Sequence, residues 1–187
     1  MKQFTRIDTE VQRFGRKFPD NAVIKRYRTD DGLEHEFTTV YDEGSRAVAI
    51  VALTEDNQAL TVYQFRAGPE CWYYDLPGGG VESGEGLEVA ARRELMEETG
   101  YQPGEMEYLG AQFVDVYSNV QVHFFLATNC RRVADMMIDE KESAQGAEVK
   151  IISIKQLFTY ARQGRVNDVM ALFLAYETLR ALQGDVS

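Results

Sequence analysis

The stretch from Gly79 to Tyr101, GGVESGEGLEVAARRELMEETGY, constrains this chain more than any other. A glycine-rich loop runs into a segment whose spacing predicts a helix. Counting from Leu87, the residues three, four, seven, ten and eleven positions on are Ala90, Ala91, Glu94, Glu97 and Glu98. One stripe therefore starts apolar and ends acidic. Glutamates that merely faced solvent would not fall on the apolar phase. Glu94 and Glu98 are one turn apart with Glu97 beside them, so three carboxylates are expected within reach of a common point. Close like charges repel, the more so where water is partly excluded. A divalent cation relieves that repulsion. Grouped carboxylate oxygens suit Mg2+, or Mn2+, which keep several waters and bind phosphate oxygens at the same time. Just upstream, Pro77, Gly78, Gly79 and Gly80 form a turn without side-chain bulk at its glycines, so main chain can approach a ligand or a metal closely. A main-chain carbonyl there is a candidate extra metal ligand.

The chain has 187 residues, 44% of them hydrophobic, enough for one sizeable core and no obligatory second one. A net charge of −10 argues against nonspecific binding to nucleic acid or to an acidic membrane, while a metal site can still handle an anionic substrate locally. Two cysteines, Cys71 and Cys130, are too few and too unpatterned for a disulfide framework or a zinc site and read as ordinary thiols in a reducing compartment. The opening MKQFTRIDTE has no apolar core of signal-peptide length, and no later run is long enough to span a bilayer, so a cytoplasmic protein is expected.

Gly79, then Glu85 after five residues, then Arg93 and Glu94 after seven more, then Leu95, Glu97, Glu98 and Gly100, follow the spacing G-x5-E-x7-R-E-U-x-E-E-x-G-U. The chain thereby resembles the Nudix hydrolases. Tyr101 stands where a bulky aliphatic residue is usual, a position that concerns packing more than chemistry. The resemblance implies an α/β fold, a Nudix α/β/α sandwich with a mixed central sheet, and metal-dependent hydrolysis of a phosphoanhydride. It implies Glu94 and Glu98 as principal metal ligands, Glu97 as a further ligand or a helper of the base, and the Gly78 carbonyl as an added ligand. Arg93 is expected to orient a motif glutamate, and Glu85 to tether the loop to Arg93.

Taken in order, residues 1–22 read as a polar arm that docks elsewhere. Strand-like runs at 23–29 and 33–41 flank Asp30, Asp31 and Gly32, a hairpin signal. This N-terminal hairpin resembles that of ADP-ribose pyrophosphatase-type Nudix enzymes, where it helps form a dimer. That implies residues 1–45 as a dimerising arm and hairpin, residues 46–187 as the hydrolase domain, and a homodimer. Tyr27 alternates with Arg26 and Arg28, which places cations and a ring on opposite faces. Tyr27 and Arg28 are candidates for substrate binding, against a solvated edge strand. Central strands are expected at 47–54 and 59–66. The second ends in Arg66, similar to the Q-Y-R segment of ADP-ribose and nucleotide-sugar hydrolases, where an arginine either meets a diphosphate bidentately or closes a salt bridge. Trp72 leads a run of aromatics that stack on a base or pack in the core. The strand then ends D-L-P-G-G, where relatives usually read E-L-P-A-G.

Strands at 107–117 and 120–128 meet near Ser118 and Asn119. Relatives commonly carry a proline there, and this chain has Tyr117, which diadenosine polyphosphate hydrolases often have in a comparable place. His123 between Val122 and Phe124 reads as a hydrogen-bonded sheet residue rather than a catalytic base. Glu140 and Glu142 lie in a polar connection from which several family members supply a glutamate as metal ligand or base, or else form a solvated turn. A last strand at 148–154, a helix at 155–163 and a longer amphipathic helix at 167–182 complete the chain. The expected substrate is a nucleoside diphosphate linked to a second moiety, ADP-ribose or a sugar nucleotide first. A dinucleoside polyphosphate or a nucleoside triphosphate is the alternative, and a nucleotide sensor without turnover is the alternative of another class.

Overall fold

The computed structural model describes residues 2–14, 21–137 and 145–183. They fall into two compact units, one of Met1–Arg46 with Gln112–Val122 and one of Ala47–Ala111 with His123–Ser187. The first carries a three-stranded antiparallel sheet in the order β1-β2-β3, with β1 Phe4–Arg13, β2 Asn21–Thr29 and β3 Glu34–Val40. Within the stretch expected as an arm, Phe4–Arg13 is thus a strand, and β2 is the central strand, not an edge. All ten residues of β1 are exposed, so no apolar alternation announced it. Its β-branched Thr5, Ile7, Thr9 and Val11 and its charge pairing account for it. Arg26 on β2 donates to Asp8 at 2.6 Å and Glu10 at 3.2 Å on β1 and to Glu36 at 2.9 Å on β3.

The second unit is built on a mixed eight-stranded sheet. Its path runs β11-β5-β4-β10-β8, with β4 Arg46–Thr54, β5 Gln58–Arg66, β8 Tyr101–Gln102, β10 Gln121–Arg132 and β11 Glu148–Ser153. In addition β6 Cys71–Asp75 pairs with β5, β7 Gly78–Gly80 with β4, and β9 Glu105–Phe113 with β10. Val48, Ile50 and Ala52 of β4 pack with Leu60, Phe125 and Ala127 against Ala90, Ala91 and Leu95 of α1 (Leu87–Thr99). The alternate residues Ala49, Val51 and Leu53 are equally buried. A strand buried on both faces reads as a continuous apolar run, which is how residues 47–54 read. Three helices follow β11: α2 Ile154–Arg162, α3 Val169–Leu174 and α4 Tyr176–Leu182, with Leu157, Leu172 and Leu179 buried. The long helix expected at 167–182 is therefore two short ones, split at Ala175, whose ψ of 0° leaves the helical range. Likewise the strand expected to reach Tyr117 stops at Phe113, and the chain turns so that Val114 N–H donates to the Val120 carbonyl at 3.0 Å.

Candidate active site

Two close approaches place the glycine loop. β7 pairs antiparallel with β4, Ala49 opposite Gly78 and Val48 opposite Gly79. A Cβ on Gly78 would lie 2.2 Å from the Val48 carbonyl oxygen, and one on Gly79 would lie 2.6 Å from Glu94 Oε1. Neither position can hold a side chain without displacing main chain or a motif carboxylate. At its far end α1 stops at Gly100, φ 74°, whose N–H donates to the Met96 carbonyl, an αL cap open to glycine at little cost.

Along α1 the buried stripe of Ala90, Ala91 and Leu95 continues into Glu98, which is only 8% exposed. A carboxylate so placed needs donors, and the Gly78 N–H supplies one at 2.8 Å to Glu98 Oε2. Arg93 occupies the adjacent face. Its Nε and Nη2 grip both oxygens of Glu85 at 2.9 and 3.0 Å, Nη2 also donates to the Gly80 carbonyl at 2.9 Å, and Nη1 donates to Glu94 at 2.8 Å and Glu97 at 3.2 Å. Loop and helix are thereby locked by one guanidinium in a fork geometry that lysine could not reproduce. The bonded carboxylates, Glu85 first, raise Arg93 well above the usual range, and Arg93 in turn holds Glu85 below the ordinary carboxylate value.

Three carboxylates, of Glu85, Glu94 and Glu97, thus share one arginine, and Glu98 takes the Gly78 N–H. Glu94 and Glu98 are largely shielded and Glu97 is the exposed one, its side chain 42% accessible. Among the described residues no three acidic, histidine or cysteine side chains stand close enough together to hold an ion as they are. Glu94 and Glu97 share one donor, Arg93 Nη1, which offsets their mutual repulsion, and Glu98 takes the Gly78 N–H. The donor set still fits a hard divalent cation. It offers carboxylate oxygens on adjacent turns, with the Gly79 main chain held side-chain-free against Glu94.

At the ends of β5 and β6, Arg66 Nε donates to Asp75 Oδ2 at 2.6 Å and Gln64 Nε2 to the same oxygen at 3.2 Å. Asp75 is 2% exposed, and burial pushes its carboxyl above the ordinary value despite Arg66. The salt bridge is therefore present, and it engages the arginine through Nε. Trp72 stands in an aromatic column: its ring stacks on Tyr63 at 5.0 Å, and Tyr63 lies against Tyr74, which stacks on Tyr160 at 4.0 Å. Arg165 covers Tyr74 and Tyr160 and donates to the Trp72 carbonyl. In the other unit Arg28 pairs with Glu34 at 2.7 Å, and Tyr27 joins Phe4 and Phe37 around a groove of about 750 Å3 that Phe113 and residues 115–119 help to line. His123 is a sheet residue whose Nδ1 meets the Tyr108 hydroxyl at 3.1 Å. Glu140 and Glu142 lie outside the described residues. The Asp75 cluster escaped the sequence reading: the antiparallel register sets Arg66 opposite Cys71 and Asp75 opposite Val62, so the two meet only through the reach of the arginine side chain.

Comparison with known proteins completes the picture. The model of the NUDIX domain family matches residues 44–173. The chain is 30% identical over 124 residues to a methanol dehydrogenase activator of Bacillus methanolicus, covering 65% of each chain. It is 34% identical over 107 residues to an ADP-ribose pyrophosphatase of Bacillus subtilis, covering 56% of this chain and 58% of that one. The matches thus span less than two thirds of these two relatives. A GDP-mannose pyrophosphatase of Escherichia coli is 27% identical over 165 residues, 82% of this chain and 83% of that one. The fold superposes on the crystal structure of an ADP compounds hydrolase with a TM-score of 0.79 at 21% identity, covering 98% and 97% of the two chains.

Proposed function

The chain belongs to the NUDIX domain family, and from that premise we propose that it hydrolyses the pyrophosphate bond of a nucleoside diphosphate joined to a second moiety, ADP-ribose or a sugar nucleotide. The products are a nucleoside monophosphate and a sugar phosphate. The observation that carries this reading is the Arg93 clamp, which fixes Glu85, Glu94 and Glu97 to one guanidinium while Glu98 is held by the Gly78 N–H. A merely solvated acidic helix has no use for such a scaffold. Similarity to an ADP-ribose pyrophosphatase and to a GDP-mannose pyrophosphatase supports the substrate class.

In this reading Glu94 and Glu98, with Glu97 and the Gly78 carbonyl, hold Mg2+, or Mn2+ in its place. Such an ion neutralises the diphosphate and lowers the pKa of attacking water when bound. Arg93 keeps the glutamates aimed, since they would otherwise repel one another. Glu85 fixes Arg93 and the loop. Arg66, anchored at Nε, offers its remaining N–H groups to the diphosphate, and Trp72, Tyr27 and Arg28 are the candidates for contacts beyond it. Glu97, Glu140 and Glu142 are the candidates for taking the proton of the attacking water. We further propose a cytoplasmic homodimer formed through β1, β2 and β3, supported by Phe4, Val11 and Phe37, which are 51%, 46% and 49% exposed on that sheet.

The test is turnover of purified protein with Mg2+ and separately Mn2+ on ADP-ribose, sugar nucleotides, dinucleoside polyphosphates and nucleoside triphosphates, with products identified by mass. AMP with ribose 5-phosphate, or a nucleoside monophosphate with a sugar phosphate, is the expected result. Preference for triphosphates or dinucleoside polyphosphates would refute the substrate class. Nucleotide binding without turnover on any of them would refute the enzyme.

A further inference from the structure

On β5 the side chains of Val62, Gln64 and Arg66 fall on one face, and the antiparallel register sets Asp75 of β6 opposite Val62 on that same face. Gln64 and Asp75 are both buried. Arg66 Nε donates to Asp75 Oδ2 at 2.6 Å, and Gln64 Nε2 donates to the same oxygen at 3.2 Å. Among the described residues the arginine is engaged nowhere else: Nη1 and Nη2 meet no protein acceptor, and its side chain is 34% accessible. Arg26 and Arg93, which tie their own surroundings together, each donate through Nε, Nη1 and Nη2 instead.

The pair that holds Arg66 is itself incompletely satisfied. Asp75 Oδ1 and Gln64 Oε1 are buried without a hydrogen-bond partner, and a buried polar oxygen left bare costs stability. A salt bridge at its strongest is closed fork to fork, whereas this one joins a single N–H to a single carboxylate oxygen. An arrangement kept at such a cost is a mark of function. After Leu76 and Pro77, Asp75 is followed by Gly78, whose N–H holds Glu98, so the anchor of the arginine and the candidate metal site lie on one short stretch of chain. A guanidinium offers two forks, Nε with one Nη and Nη1 with Nη2. Engaging Nε closes the first and leaves the second.

We infer that Gln64 and Asp75 are positioning residues, which pin Arg66 by Nε alone and so keep Nη1 and Nη2 open as a two-donor fork for one phosphoryl group of the substrate. The inference rests on the reading of Arg66 as a diphosphate ligand.

The test is Q64M/D75L, which replaces the pair by apolar side chains of similar volume while Arg66 stays in contact with water. Removing both partners together leaves neither of them bare, so thermal unfolding should be level with the wild type or a few degrees above it. KM for ADP-ribose should rise roughly tenfold with kcat changed by less than about twofold, because a contact made equally in the ground and transition states is lost. D75N keeps an oxygen for both donors without the charge and should raise KM roughly threefold. In an R66A background Q64M/D75L should raise KM no further. If R66A itself leaves KM unchanged, Arg66 is no diphosphate ligand and the reading beneath the inference fails. If R66A raises KM while Q64M/D75L keeps the wild-type KM, the inference alone is overturned. Loss of stability and kcat together in Q64M/D75L, or an effect on KM that persists in the R66A background, assigns the pair a merely structural role and overturns it as well.

Discussion

A Cβ at Gly78 would strike the Val48 carbonyl, which belongs to the strand that pairs with it, whereas a Cβ at Gly79 would strike the Glu94 carboxylate, the far end of a side chain. The two alanine variants should therefore fail differently. G78A must unpair β7 from β4 and should lose about 2 kcal/mol or more by chemical denaturation. G79A should keep its melting temperature within a few degrees while kcat falls more than tenfold, because the carboxylate moves off its position. Glu85 makes a prediction of the opposite electrostatic sense to Asp75. Arg93 holds it below its ordinary value near 4.5, so its contribution is present above that value and is lost as pH falls through the lower folded pKa. E85Q should accordingly unfold at a lower temperature than the wild type at pH 7, with the gap closing toward pH 3, as followed by circular dichroism.

The helix α1 shows how local and tertiary demands coincide. Its apolar residues recur at helical spacing, and its closing glycine sits in a left-handed cap where a Cβ would also lie 2.2 Å from the Ala134 carbonyl oxygen. G100A should cost about 1 kcal/mol or more for the backbone conformation alone, with the clash adding to it, read as a lower denaturation midpoint at unchanged slope. Such an element was legible because spacing, glycine and carboxylates all pointed the same way. The central strands 47–54 and 59–66 were legible for a similar reason, since strands covered on both faces are apolar throughout. β1 was not, because exposed residues leave no burial pattern and its partner Arg26 is distant in sequence. The division of the last helix at Ala175 left no proline or glycine to mark it. In the site, Arg93 and Glu85 fall at motif spacing, while Arg165 reaches Tyr74 only because its segment lies beside β6, a contact that no local pattern announces.

At the scale of the whole molecule, the net charge of −10 opposes an anionic substrate, and the proposed function requires Arg66 and a cation held by the glutamates to offset it locally. The three-stranded sheet carries the ion pairs of Arg26 on one face and Phe4, Tyr27 and Phe37, with Lys25, on the other. An exposed aromatic face of this kind is expected to be covered by a second copy, and removing residues 1–14 should leave a monomer by light scattering where the full chain is a dimer. The central claim, that α1 carries the metal chemistry of a phosphoanhydride hydrolase, is tested most directly by titrating Mg2+ into wild type and E98Q with ADP-ribose as substrate and following AMP by mass. The account predicts metal-dependent AMP release by the wild type and a loss of roughly 100-fold to 1,000-fold in E98Q. AMP release that is equal in the two proteins, or independent of the metal, would contradict it.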